Sequence, residues 1–156
     1  MANRAVNLSD IERAEIIKSL PASSRLRGKI ERAGKRIAVR SAKAKGMGFQ
    51  KWICEQLAFL LKIPYIQGDD ESLIASRSSG VNGVDIILRG EAKKRFPYSI
   101  EAKNCENLGI ADAVEQAQSN QAPNTDWMVV HKRKSFKEPI VMMGWEAFIK
   151  LFVRGS

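Results

Sequence analysis

The sequence predicts an α/β fold: a mixed central β-sheet flanked by helices, with a basic helical N-terminal extension. Three observations carry that prediction. Between Ser79 and Lys103, two apolar runs, SGVNGVDIIL and FPYSIEAK, flank a short charged stretch, the pattern of a hairpin. Segments with helical spacing of apolar residues lie before and after it, and two more apolar runs follow near the C-terminal end. Ile86, Ile87 and Leu88 follow Asp85 without alternation, and Ile100 precedes Glu101, which suits a sheet covered on both faces.

The elements follow in order. Ser9-Asp10-Ile11-Glu12 is a capping-box pattern that opens a helix, with Leu8, Ile11, Ile17 and Leu20 as its apolar edge and Pro21 as its stop. A second helix is expected over residues 24–41, where Leu26, Ile30, Ala33 and Ile37 form a narrow apolar stripe amid basic residues. Lys45-Gly46-Met47-Gly48 reads as a break. A third helix is expected over 48–62, with Phe49, Ile53, Leu57, Leu60 and Leu61 on its core face. Pro64-Tyr65-Ile66 could open a short strand, and Gly90 to Arg95 reads as the hairpin tip. A helix over 109–120 follows, with Ile110, Ala113, Val114 and Ala117 on its apolar side. Trp127 to Val130 and Pro139 to Met143 read as strands, and Trp145 to Phe152 as an amphipathic helix.

Composition bounds the chemistry. At 156 residues, 44% hydrophobic and 28% charged, the chain suits one globular domain with a sizeable core. No apolar run approaches the ~18 residues of a membrane span, and no signal-peptide core opens the chain, so a cytoplasmic location is expected. Cys54 and Cys105 lack C-x-x-C spacing and read as buried or incidental thiols. The single histidine, His131, cannot supply a zinc cluster and reads as a side chain at a strand end. Any catalysis therefore has to run on carboxylates, lysine and an oxygen-bound metal.

The net charge of +9 comes from 26 basic and 17 acidic residues. Its distribution matters more. Arg25, Arg27, Lys29, Arg32, Lys35, Arg36, Arg40, Lys43 and Lys45 are opposed by Glu31 alone within residues 25–45. Clustered cations release counterions from a phosphate backbone, so nucleic acid is the expected partner. An anionic membrane fits less well, because the apolar stripe is thin and lacks aromatic anchors. Lys93 to Arg95 and Lys132 to Lys134 add smaller basic clusters.

Asp85 interrupts the first central run and Glu101 the second, with Lys103 two residues on. Side chains two apart on a strand share a face, so Glu101 and Lys103 project together, and hairpin pairing would bring Asp85 to them. Two carboxylates and an ammonium at one spot suit a hard divalent cation beside a nucleophilic water. The same residues could be the solvated face of a hairpin. Against that stands the cost of carboxylates in a doubly covered sheet unless they are paired or metal-bound.

The order of a helix, RSSGVNGVDIIL, FPYSIEAKN, a helix carrying EQA and the strand WMVVHKRK resembles the PD-(D/E)XK nuclease superfamily. More closely it is similar to the small phage and archaeal Holliday junction resolvases. The resemblance covers Lys43 to Phe152. It implies a restriction-endonuclease-like domain over 45–156 and leaves 1–44 as an added extension. It also implies a metal-dependent DNA endonuclease, located in the host cytoplasm if phage-encoded. By the resemblance, Asp85, Glu101 and the Ala102 carbonyl hold one or two Mg²⁺ ions, for which Mn²⁺ substitutes. Lys103 orients or activates the attacking water, and Gln116 faces the site. Where the family carries a helical carboxylate this chain has Gln50, a departure. Gln50 lies about 50° from the centre of the helix's apolar face and Glu55 about 170° from it. Gln50 is therefore taken as the site-facing residue.

Lys45, Arg77, Ser78 and Ser79, with Arg32, Lys35, Arg36, Lys132 and Arg133, are the expected DNA contacts. A resolvase cuts two opposed strands, so the resemblance implies branched DNA as partner and a twofold homodimer. A nuclease for flaps, nicks or a specific duplex site, and a non-catalytic DNA-binding protein, stay open as alternatives.

Overall fold

A computed structural model describes residues 10–78 and 80–155, without the side chains at 10, 13, 33–37, 154 and 155. The chain divides into two compact units, Met1–Ala42 and Lys43–Ser156. The first unit holds α1 (Asp10–Ser19) and the opening turns of α2 (Arg25–Leu61). Ser24 Oγ accepts the Arg27 N–H at 3.5 Å, which satisfies one free donor at the start of α2. Ser9, the first residue of the expected capping box, lies outside the described residues.

The second and third helices expected from sequence are one continuous helix, α2. The expected break fails because Gly46 and Gly48 take helical conformation. A helical glycine costs only about 1 kcal/mol relative to alanine. Downstream packing outweighs that: Phe49, Ile53, Leu57 and Leu61 are buried in the main core. Leu60, expected in that face, is 61% exposed, and Glu55 is exposed as the helical angle requires.

The second unit is built on a five-stranded sheet in the order β1-β2-β3-β4-β5. Its strands are β1 (Ile74–Ser76), β2 (Ile86–Leu88), β3 (Tyr98–Asn104), β4 (Asp126–Lys132) and β5 (Ile140–Met143). β3 and β4 pair in parallel, and every other neighbouring pair is antiparallel. The fold is thus mixed α/β, with helices flanking a mixed sheet. The parallel step is made through α4 (Ile110–Ser119), and α5 (Trp145–Gly155) follows β5. Alternation along β4 separates two layers. Met128 and Val130 join Ile86, Ile100 and the α2 face in one cluster, while Val129 joins Ala113 and Ala117 of α4 in another.

The expected hairpin tip is instead a short helix, α3 (Gly90–Arg95). Its residues after glycine are strong helix formers, and Lys94 reaches Glu91 at 2.8 Å one turn back. Residues 63–66 take no regular structure, so Pro64-Tyr65-Ile66 opens no strand. β4 runs on past Val130, where the sequence reading ended it, through His131 and Lys132. Among the described residues, no helix is long and apolar enough to cross a membrane.

A Cβ at Gly48 would meet nothing within 4 Å. Gly48→Ala should therefore stabilise the protein by about 0.5–1 kcal/mol, since alanine removes backbone entropy from the unfolded chain. Urea denaturation of the variant checks this, and a loss of stability would contradict a continuous α2.

Candidate metal centre

The centre forms where β2 and β3 stop pairing. Their ladder holds the single pair Ile86↔Ile100, extended by the Asp85 N–H donating to the Ile100 carbonyl at 3.1 Å. Beyond that point Asp85 replaces backbone with side chain: its Oδ2 accepts the Ala102 N–H at 2.8 Å. In an extended strand the N–H and C=O of one residue point to the same edge. The Ala102 carbonyl therefore opens towards the side of β3 from which Asp85 approaches.

Glu101 and Lys103 turn to the α4 side of the sheet. Glu101 is 2% exposed. Its Oε1 accepts Lys103 Nζ at 2.8 Å, and the same ammonium donates to Gln116 Oε1 at 2.6 Å. Asn120 Nδ2 donates to Glu101 Oε2 at 3.4 Å. Asp85, Glu101, Ala102, Lys103 and Gln116 are thus gathered at one place. Sequence had not singled out Asn120. Its signal was the i, i+4 spacing from Gln116, which puts both amides on one side of α4.

Electrostatics set this centre apart from a solvated hairpin face. Burial pushes the Asp85 carboxyl up to about 6 from an ordinary 3.8. The Ala102 N–H opposes that rise, the Glu101 charge adds to it, and Lys103 lowers it. Two adjoining carboxylates share one ammonium, so the ionised centre carries excess negative charge. That excess, and an all-oxygen donor set, fit a hard divalent cation. Among the described residues no group of three or more His, Cys, Asp or Glu side chains is placed to hold a metal. The candidate donors here are two carboxylates plus neutral oxygens.

Gln50 approaches from the other layer. α2 runs antiparallel to β3, tied by Asn104 Nδ2 to the Lys45 carbonyl and by Arg95 to the Leu61 carbonyl. Gln50 lies about 7.5 Å along the helix from Lys45. At about 3.3 Å per strand residue, that is level with the Glu101–Ala102 segment. Gln50 Oε1 is buried without a hydrogen-bond partner, which leaves an acceptor free for a donor or cation.

The expected DNA contacts differ in their local surroundings. Arg77 is half-buried, and its Nε donates to the Val84 carbonyl at 2.7 Å. Gly83, at φ +115°, lets that guanidinium pass 3.0 Å from where a Cβ would stand. Arg77 thus fastens the loop before Asp85. Ser78 is exposed. Ser79 and the side chains of Lys35 and Arg36 lie outside the described residues, and Arg32 is exposed in the first unit. Glu106 gathers Lys45 at 3.6 Å, Arg133 at 3.7 Å and the Lys134 N–H at 3.1 Å. The Lys134 N–H holds the Glu106 carboxyl below its usual range, and Lys45 and Arg133 add to that. Lys132 Nζ stands 5.6 Å over the Trp52 ring. His131 is buried, with Nε2 2.9 Å from the Cys105 carbonyl, and both cysteines are free. No protein-family model, curated protein or solved structure matches the chain.

Because Asp85 binds its proton more tightly folded than unfolded, the metal-free protein should hold the full Asp85 increment of stability below about pH 4. It should lose that increment as pH rises to about 6. Asp85→Asn should flatten this dependence in urea titrations with chelator across pH 4–7, because asparagine keeps an acceptor for Ala102 and removes the charge. Gln50→Glu should tighten Mn²⁺ binding in calorimetry, whereas Glu55→Gln on the exposed side should leave it unchanged. The reverse pattern would show that Glu55 serves the centre.

Proposed function

We propose that the chain is a Mg²⁺-dependent endonuclease that hydrolyses phosphodiester bonds in DNA, acting as a homodimer on branched substrates of the Holliday junction type. The observation that carries this reading is the pair Asp85 and Glu101, held beside Lys103 where β2 and β3 stop pairing. The resemblance of the central motifs to the PD-(D/E)XK nucleases gives the pair its chemistry. Mg²⁺ or Mn²⁺ would be held by Asp85, Glu101 and the Ala102 carbonyl, with Gln50 as a neutral oxygen. A bound cation of this kind lowers the pKa of water and stabilises charge on phosphate oxygen.

The protein's own groups do the rest. Lys103, anchored by Gln116, presents an ammonium that can donate to an attacking water or a non-bridging phosphate oxygen. The Ala102 N–H fixes the Asp85 carboxylate. Arg77 holds the loop before Asp85, and the exposed Ser78 would donate to the phosphate next to the scissile bond. Lys45, Lys132 and Arg133 would neutralise backbone phosphates, as would the basic residues Arg32, Lys35 and Arg36 of α2. Two opposed cuts need two such sites related by a twofold axis.

One observation favours a second reading. The neutral Gln50, where a carboxylate is expected, weakens the anionic set and suits a DNA-binding protein without catalysis. Cleavage of four-way junction, fork, flap and duplex DNA with Mg²⁺ separates the two. Junction cleavage should exceed the rest. Asp85→Asn should abolish it with the fold retained, and Lys103→Ala should slow cutting at least a hundredfold while changing DNA affinity less than threefold. Wild-type protein that binds all four substrates and cuts none would support the second reading. Cleavage by folded Asp85→Asn would remove the site assignment.

A further inference from the structure

We propose that Asn120 is a positioning residue of the metal centre, orienting the Glu101 carboxylate as Gln116 holds the Lys103 ammonium. This rests on the metal-centre reading above. Glu101 is buried, and its two oxygens meet different partners. Oε1 accepts Lys103 Nζ at 2.8 Å and Oε2 accepts Asn120 Nδ2 at 3.4 Å. A lysine on a flexible four-carbon stem cannot by itself fix the plane of a carboxylate. A second donor on a packed helix can, because α4 is pinned to the sheet through Ala113 and Ala117 against Val129.

The amide suits this task better than a charged donor. It donates to the carboxylate without adding a positive charge, so the excess negative charge that would attract a cation is kept. Partners that orient metal-ligating carboxylates in this way typically contribute ten- to a hundredfold to metal affinity or activity.

Helix capping does not account for the residue. Asn120 follows α4 as its C-cap with φ −89° and ψ 0°, an ordinary right-handed conformation. Asparagine is favoured at helix ends chiefly where the chain turns left-handed. The cap bonds run from its backbone N–H to the carbonyls of Gln116 and Gln118, which any residue except proline would make. What the side chain adds is the bond to Glu101.

The test is calorimetric titration of Mn²⁺ into the full chain without DNA, with thermal melting alongside. Asn120→Ala should weaken Mn²⁺ binding about tenfold. Asn120→Leu, which fills similar space without a donor, should weaken it equally and serves if the alanine variant does not fold. Glu115→Ala, at an exposed α4 position, should bind as wild type. A folded Asn120→Ala or Asn120→Leu protein with affinity within twofold of wild type would overturn the inference alone. Wild-type protein that takes up no Mn²⁺ would overturn the metal-centre reading, and this inference with it.

Discussion

The structure depends on burying the Glu101 carboxylate next to that of Asp85. Withdrawing an ionised carboxylate from water costs several kcal/mol unless its charge and lone pairs are answered. Here the answers come from three directions. Lys103 supplies charge, Asn120 an amide donor, and the Ala102 N–H takes up Asp85. One ammonium for two carboxylates leaves the compensation incomplete, and burial, with the Glu101 charge adding to it, raises the Asp85 carboxyl. A sheet optimised only for stability would hold apolar side chains at these positions.

The rest of the second unit makes that burial possible. The β2–β3 ladder is a single pair, so the Ala102 N–H is left for a side chain rather than for backbone. The parallel β3–β4 pairing requires a crossover, and α4 within that crossover brings Gln116 and Asn120 over the alternate residues of β3. On the other layer, α2 covers Ile100 and the neighbouring apolar residues and carries Gln50 to the level of Ala102. Each helix therefore serves two ends, closing a core layer and placing an amide.

The basic groups are organised by weak local contacts. Lys45 and Arg133 lean on Glu106, and Lys132 rests on Trp52. Ion pairs on exposed surface contribute at most about 1 kcal/mol, so these contacts hold the basic side chains only loosely. Arg77 differs: its guanidinium is committed to the Val84 carbonyl, which makes it part of the loop's framework.

Fold class, most element positions and the residues that gather where β2 and β3 stop pairing were legible along the chain. Period-two and period-3.6 patterns report burial directly, and an acid inside an apolar run has few innocent explanations. Local signals misled at Gly46 and Gly48, and again at residues 90–95. Glycine and charge describe what a segment tolerates, while packing of Phe49, Ile53 and Leu57 decided that α2 continues. Asn120 was visible only as a spacing, because its contact spans 19 residues of sequence. The commitment of Arg77 and the clustering around Glu106 were likewise invisible, for both join segments that only the folded sheet brings together. Pattern along the chain fixes which face a residue shows. Only tertiary structure decides what stands opposite that face, and so which charges are compensated and which are left for a partner.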